Sequence, residues 1–202
     1  MTTTSKFPLI MIYARKPNPI PAFLHWKITF HNWKLHHANR VVGLPLTLGD
    51  DWAPTGVYVQ VPGVGLRMKA AQFVRELARS ATMRAVMLRY AHAFFNQVAQ
   101  SAACNQFHSL EQRCSRWLLM THDRMQSDQF LLTQEFLAMM LSVRRTRVSA
   151  AAGALQKAGL IRYTRGNITV LDRSGLVRRS CECYGVSKRE FDRLLGKRTM
   201  MT

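Results

Sequence analysis

The sequence predicts an α+β chain: a short glycine-punctuated β-region, a long helix, and a C-terminal set of short helices followed by a β-hairpin. Three observations carry that expectation. Apolar residues recur every three or four positions between 83 and 102, the period of one face of an α-helix. Glycines and prolines break residues 41–68 into short runs rich in β-branched side chains, the texture of strands and turns. From Thr133 onward, two short helical patterns precede an alternating segment centred on Arg165-Gly166-Asn167.

Composition limits the partners. A chain of 202 residues, 48% of them hydrophobic, can bury one full core or two small ones. Its 29 basic and 11 acidic side chains leave a formal net charge of +18, so polyanions are the natural partners. Nucleic acid is the first expectation and an anionic membrane surface the second, but the lysine-faced amphipathic helix of a membrane binder does not dominate here. The apolar run "FPLIMIYA" is too short to span a bilayer and is followed by Pro17, Pro19 and Pro21. No membrane association is expected, and the cytoplasm is the default location.

Residues 1–40 contain no acidic residue and show no persistent period, so they read as a poorly structured segment. His25, His31, His36 and His37 lie there without a carboxylate or thiolate nearby, which argues against a metal site. Residues 41–68 read as two or three strands, one over 57–61. Residues 69–107 read as helical: a short segment over 70–78, then a long helix carrying Met83, Val86, Met87, Tyr90, Phe94, Val98 and Ala102 as an apolar stripe. That stripe serves either a second copy of the same helix or the chain's own core.

Residues 108–202 carry the most specific pattern. Ser109 with Gln112 three positions on is a capping box, opening a helix whose buried face is Trp117, Leu118 and Leu119. Thr133 caps the next helix, Glu135 favours its positive pole, and Ala138 leaves room for a crossing helix. After a turn at Ser142-Val143, a second helix opens near Arg144. It turns Val148, Ala151, Ala152 and Leu155 inward and leaves Arg145, Thr146 and Ser149 outward. Gly159 closes it, and strands over 161–164 and 168–171 follow. A helix-turn-helix followed by a basic-tipped hairpin is a winged helix. The arginines at the start of its second helix are either a solvated surface or the DNA-reading end of that helix. In the second case Arg145 faces bases, because a guanidinium can hold guanine O6 and N7 with two hydrogen bonds, and Arg144 and Arg147 face phosphate. Arg165 at the hairpin tip would touch the DNA backbone.

Chemistry of other kinds finds little footing. Cys104, Cys114, Cys181 and Cys183 show no C-x-x-C spacing and read as buried free thiols; Cys181 and Cys183 could ligate a metal only with partners from elsewhere in the fold. Paired carboxylates, H-E-x-x-H, a phosphate-cradling glycine loop and a nucleophile elbow are all missing, so the expectation is no enzyme, no catalytic residue, no metal and no cofactor.

The segments "HSLEQRCSRWLLMTHDRM", "LTQEFLAMMLSVRRTRVSAAAGALQKAGLI" and "GNITVLDRSGL" together make residues 110–195 resemble the C-terminal half of the Crp/Fnr family of bacterial transcription regulators. The resemblance implies a homodimer joining a cyclic-nucleotide-binding-like β-barrel, a dimerisation helix and a winged helix, with RNA polymerase as a further partner. It implies that Arg145 reads a guanine, that Thr133 and Gln134 touch phosphate, and that the 83–102 stripe dimerises. Residues 41–68 look like the later strands of the barrel. Asp50-Asp51 and Pro54-Thr55 stand where cyclic-nucleotide receptors carry an acidic residue and an Arg-Ser pair, so cyclic nucleotide is not expected. Iron–sulfur members use N-terminal cysteines, and none precedes Cys104. Ser142 stands where the family often has glycine.

The chain therefore reads as a sequence-specific, double-stranded-DNA-binding regulator with an N-terminally truncated or mis-started effector domain, dimeric on a palindromic site. The DNA-facing residues are Thr133, Gln134, Arg144, Arg145, Thr146, Arg147, Ser149 and Arg165, and the dimer-facing residues Met83, Val86, Met87, Tyr90, Phe94 and Val98. The alternative is an interaction protein that heterodimerises with a full-length regulator and binds little DNA itself.

Overall fold

The structure, a computed structural model, describes residues 9–13, 41–51, 65–125 and 127–196. The chain divides into two compact units, residues 1–92 and 93–202. Of the sequence expectations, the four N-terminal histidines, Pro54-Thr55 and the strand over 57–61 lie outside the described residues.

In the first unit, β1 (Leu9–Tyr13) is the central strand of a three-stranded sheet, paired in parallel with β2 (Val41–Val42) on one side and β3 (Gly65–Lys69) on the other. The segment expected to be poorly structured thus supplies a strand. Its unbroken apolar run has no period 2 because nothing in a central parallel strand demands a polar face. Between β2 and β3, Gly43 at φ 96° starts a one-turn helix α1 (Leu44–Thr47) with Pro45 in its first turn, where a missing N–H costs nothing. Helix α2 (Ala70–Arg79) follows β3 directly, in agreement with the segment expected over 70–78. Leu46, Phe73, Leu77 and Met87 form this unit's core, with Val41, Leu44, Met68 and Met83 packed on it.

Ser80 separates α2 from α3 (Ala81–Phe107), and its hydroxyl accepts the Met83 N–H at 3.1 Å. The α3 stripe, expected to serve a second copy or the chain's own core, divides by burial. Met87 and Tyr90 are buried and Met83 packs on the first unit's core, whereas Val86, Phe94 and Val98 are exposed. Leu88 and Phe95, which the expected stripe omitted, are exposed as well, Phe95 by 70%. Apolar residues on both faces of one helix blur the 3.6-residue period that sequence reasoning relies on.

The second unit is built around α4 (Leu110–His122), which packs on α6 and α7. Its capping box forms as expected: Ser109 Oγ accepts the Gln112 N–H at 3.3 Å and Gln112 Oε1 accepts the Ser109 N–H at 3.0 Å. Leu118 and Leu119 are fully buried, while Trp117 is half-buried and meets Phe136 edge to face at 6.2 Å. Then come β4 (Gln129–Leu131), α5 (Gln134–Leu141), α6 (Arg145–Lys157), β5 (Ile161–Thr164), β6 (Asn167–Val170), α7 (Arg173–Arg179) and α8 (Cys183–Leu195). The antiparallel sheet has the order β4-β6-β5, and sequence reading missed β4. The β5–β6 turn has two residues, Arg165 at φ 48° and Gly166 at φ 80°, so Asn167 is already in the strand. Two positive φ values give the turn the twist a tight hairpin needs.

One core joins these elements: Leu118 and Leu119 of α4, Leu137 and Leu141 of α5, Val148 and Leu155 of α6, Phe130, Ile161 and Ile168 of the sheet, and Leu176 of α7. Burial pushes the Cys114 thiol in this core up to about 12, so it behaves as a small apolar side chain.

Candidate nucleic-acid interface

Helix α5 starts where Thr133 Oγ1 accepts the Phe136 N–H at 3.2 Å. It ends in a Schellman turn: the Val143 N–H reaches Ala138 O at 3.0 Å and the Ser142 N–H reaches Met139 O at 3.2 Å. Such a turn needs one left-handed residue, and Ser142 takes that conformation at φ 53° and ψ 46°. Arg113 of α4 donates to Leu141 O at 2.5 Å, pinning the end of α5. Ala138 is buried, as a close helix crossing requires, whereas Met139 and Met140 point outward.

Helix α6 begins without a side-chain cap, its N-cap being the extended Arg144. Val148, Ala151, Ala152 and Leu155 face the core, and Arg144, Arg145, Thr146, Arg147 and Ser149 are exposed. The helix closes in a second Schellman turn on Gly159, at φ 73°, with the Leu160 N–H on Leu155 O at 3.0 Å.

The wing is tied to both helices. The Tyr163 N–H donates to Gln156 Oε1 of α6 at 2.7 Å, and the Tyr163 hydroxyl donates to Leu132 O beside the α5 cap at 2.7 Å. Burial, and after it the charge of Glu135, pushes that hydroxyl up to about 12, so it stays a donor at any physiological pH. A shallow groove results, between the start of α5, the face of α6 and the wing tip. It brings together Thr133, Gln134, Arg145, Ser149 and Arg165. Arg144, Thr146 and Arg147 lie outside its lining, at the exposed start of α6.

Within the groove Arg145 is engaged. Its Nη1 is 2.8 Å from Glu135 Oε1 and its Nε 3.4 Å from Gln134 Oε1, while the Ser149 hydroxyl donates to the same Gln134 oxygen at 2.7 Å. Sequence reasoning gave Glu135 only a helix-dipole role and missed this contact. The contact follows from the angle at which α5 crosses α6, which brings the first turns of the two helices together. No ion pair to Arg144, Arg147 or Arg165 occurs among the described residues.

Two helices joined by a tight turn, the second with a basic exposed start, and a β-hairpin packed beside them define a winged helix-turn-helix. Residues 112–179 match the family model described as a Crp-like helix-turn-helix domain. The match runs from the first turn of α4 to the end of α7. Among solved structures, the chain is similar to a protein described as a transcriptional regulator of the Crp/Fnr family from Eubacterium rectale. The identity is 22% and the TM-score 0.38, covering 54% of this chain and 44% of that one. It is also similar to the catabolite activator protein of Thermus thermophilus, at 22% identity and a TM-score of 0.32, covering 58% of this chain and 47% of that one. The chain thus spans less than half the length of either structure. No curated protein matches it. Among the described residues, no helix is long and apolar enough to cross a membrane.

Proposed function

We propose that the chain is a sequence-specific DNA-binding transcription regulator that acts as a homodimer on a palindromic site. One observation carries the reading: three exposed arginines, 144, 145 and 147, crowd the first turn of α6 beside the exposed wing-tip Arg165. Cations at a helix N-terminus oppose the helix dipole, so this placement disfavours the isolated helix and makes sense against a polyanion. With α6 in the major groove, Arg145 addresses a guanine edge, Thr146 and Ser149 face neighbouring bases, and Thr133, Gln134, Arg144, Arg147 and Arg165 meet phosphate.

Exposed apolar side chains on α3 support the dimer. Leu88, Ala91, Phe95, Val98 and Ala102 follow one another at alternating spacings of three and four, the repeat of a coiled-coil seam. Leu88, Phe95 and Val98 are 47%, 70% and 50% exposed. This seam shares Val98 and Ala102 with the expected stripe and leaves out its Met87 and Tyr90, which are buried within the chain. Two-fold symmetry then sets two half-sites about one helical turn, 34–36 Å, apart.

The test is selection of binding sites from random DNA, followed by anisotropy titrations at several salt concentrations. Arg145→Ala should relax preference at one base position, worth about 1–3 kcal/mol. Arg147→Ala should weaken binding on every sequence and flatten the salt slope by about one unit. A selection returning no repeated half-site, or equal effects of the two changes on all sequences, contradicts the reading.

A further inference from the structure

The end of α3 and the connection from α7 to α8 bring three cysteines and a histidine to one point. Cys104 lies in the last turn of α3, and the His108 N–H bonds to Cys104 O at 3.2 Å, so the helical path continues and both side chains leave the same face. Cys181 and Cys183 flank Glu182, whose αR conformation at φ −55° and ψ −23° interrupts the strand-like alternation that would point them apart. The four ligand atoms all lie within 4.8 Å of one another, and the three thiols are buried.

The spacing fits one small ion. With metal–sulfur bonds of about 2.3 Å and metal–nitrogen bonds of about 2.0–2.1 Å, tetrahedral zinc sets neighbouring ligand atoms roughly 3.5–3.8 Å apart. Cys104 Sγ is 3.5 Å from Cys181 Sγ, and Cys183 Sγ is 3.6 Å from His108 Nδ1. A polynuclear iron–sulfur cluster distributes its cysteines over several irons and needs a wider cage. Three thiols also leave one over if two join in a disulfide.

The surroundings supply what a thiolate-rich metal site requires. His108 Nε2 is 3.1 Å from Glu182 Oε1, which orients the ring and leaves Nδ1 for the ion, the carboxylate–histidine–metal arrangement. Gln100 Nε2 donates to Cys183 Sγ at 3.0 Å. Arg116 is 6% exposed; its Nη2 donates to Ser101 Oγ at 3.1 Å and Ser187 Oγ at 3.3 Å, and its buried Nε has no hydrogen-bond partner. No carboxylate pairs with it among the described residues. A buried guanidinium held by hydroxyls alone is costly unless an anion lies near. Three thiolates around a divalent cation carry a net charge of −1, which Arg116 would balance.

We propose that Cys104, His108, Cys181 and Cys183 form a closed tetrahedral site for a single zinc ion, clamping the end of α3 to the α7–α8 connection. All four positions are filled by protein, so the ion is structural. The proposal stands or falls independently of the DNA reading.

The test is titration of the reduced, metal-stripped full chain with Co²⁺ as the spectroscopic probe. One equivalent should produce thiolate-to-cobalt charge transfer and the d–d bands of a tetrahedral S₃N site. One equivalent of Zn²⁺ should bleach both and raise the melting temperature. Cys181→Ser should lower Co²⁺ affinity by at least about tenfold, as should His108→Asn at the site's more accessible edge, whereas Cys114→Ala should leave the stoichiometry unchanged. Should Cys181→Ser not fold, the wild-type titration and His108→Asn decide. The proposal is overturned by a wild-type chain giving no tetrahedral cobalt spectrum, by a spectrum that survives loss of Cys181, by an iron-coloured cluster, or by a Cys104–Cys181 disulfide without metal uptake.

Discussion

On the proposed function, Arg145 has two suitors, Glu135 and a base, and their relative strengths decide how the groove works. Its pair with Glu135 is solvent-exposed on both sides, 64% and 61%, which places it among ion pairs worth about 0.2–1 kcal/mol. A bidentate contact to guanine contributes about 1–3 kcal/mol, so a correct base wins the arginine and an incorrect one does not. Glu135 would then act against wrong sequences, since its carboxylate reclaims the guanidinium and repels nearby phosphate. Glu135→Gln should raise DNA affinity on all sequences, about two- to fivefold, and lower the ratio of specific to nonspecific binding. Anisotropy titrations on a selected and a scrambled site measure both, and weaker binding of the variant to the scrambled site would contradict the role. The exposed place of Arg145 at the start of α6 was legible from the pattern of arginines there. Glu135 was not, because its second role depends on how two helices cross.

The turn between α5 and α6 places a strained residue at the centre of the motif. A non-glycine residue in the left-handed region costs about 1–2 kcal/mol, and Ser142 sits there at φ 53°. The core beside it outweighs that cost: Leu118, Leu119, Leu137 and Leu155 are fully buried, each worth about 1.5–3 kcal/mol. Ser142→Gly should therefore stabilise the second unit by about 0.5–1 kcal/mol, glycine's larger unfolded-state entropy offsetting part of the relief. Urea unfolding would measure it, and a lower midpoint would refute the strain. The strain was legible beforehand only through the resemblance, because Ser142 stands where the resembled family often has glycine. Two strands were not. β4 has three residues, too few for a period, and β1 is apolar throughout, so neither carries the alternation that marks a half-buried strand.

At the scale of the whole molecule, the proposed dimer rests on the α3 seam. Phe95→Glu places a charge in that seam without touching the buried core, so it should yield monomers in sedimentation and weaken binding to a palindromic site by at least about tenfold. Unchanged sedimentation would remove α3 from the interface. The sequence reading placed the dimer face on α3 but on other residues, because α3 carries apolar residues on too many faces, and it missed the cysteine cluster because its two halves stand far apart in the chain. The same long separation shapes the sheet. Phe130 of β4 pairs with Ile168 of β6, and the Leu132 N–H reaches Gly166 O at 2.7 Å, so the whole of α5, α6 and β5 forms a loop between two neighbouring strands. Closing about forty residues of chain has an entropic cost that must be met before the β4–β6 pairing forms. The wing therefore docks only when the chain on either side of it has met, a sequence-distant closure that slows refolding and makes it cooperative.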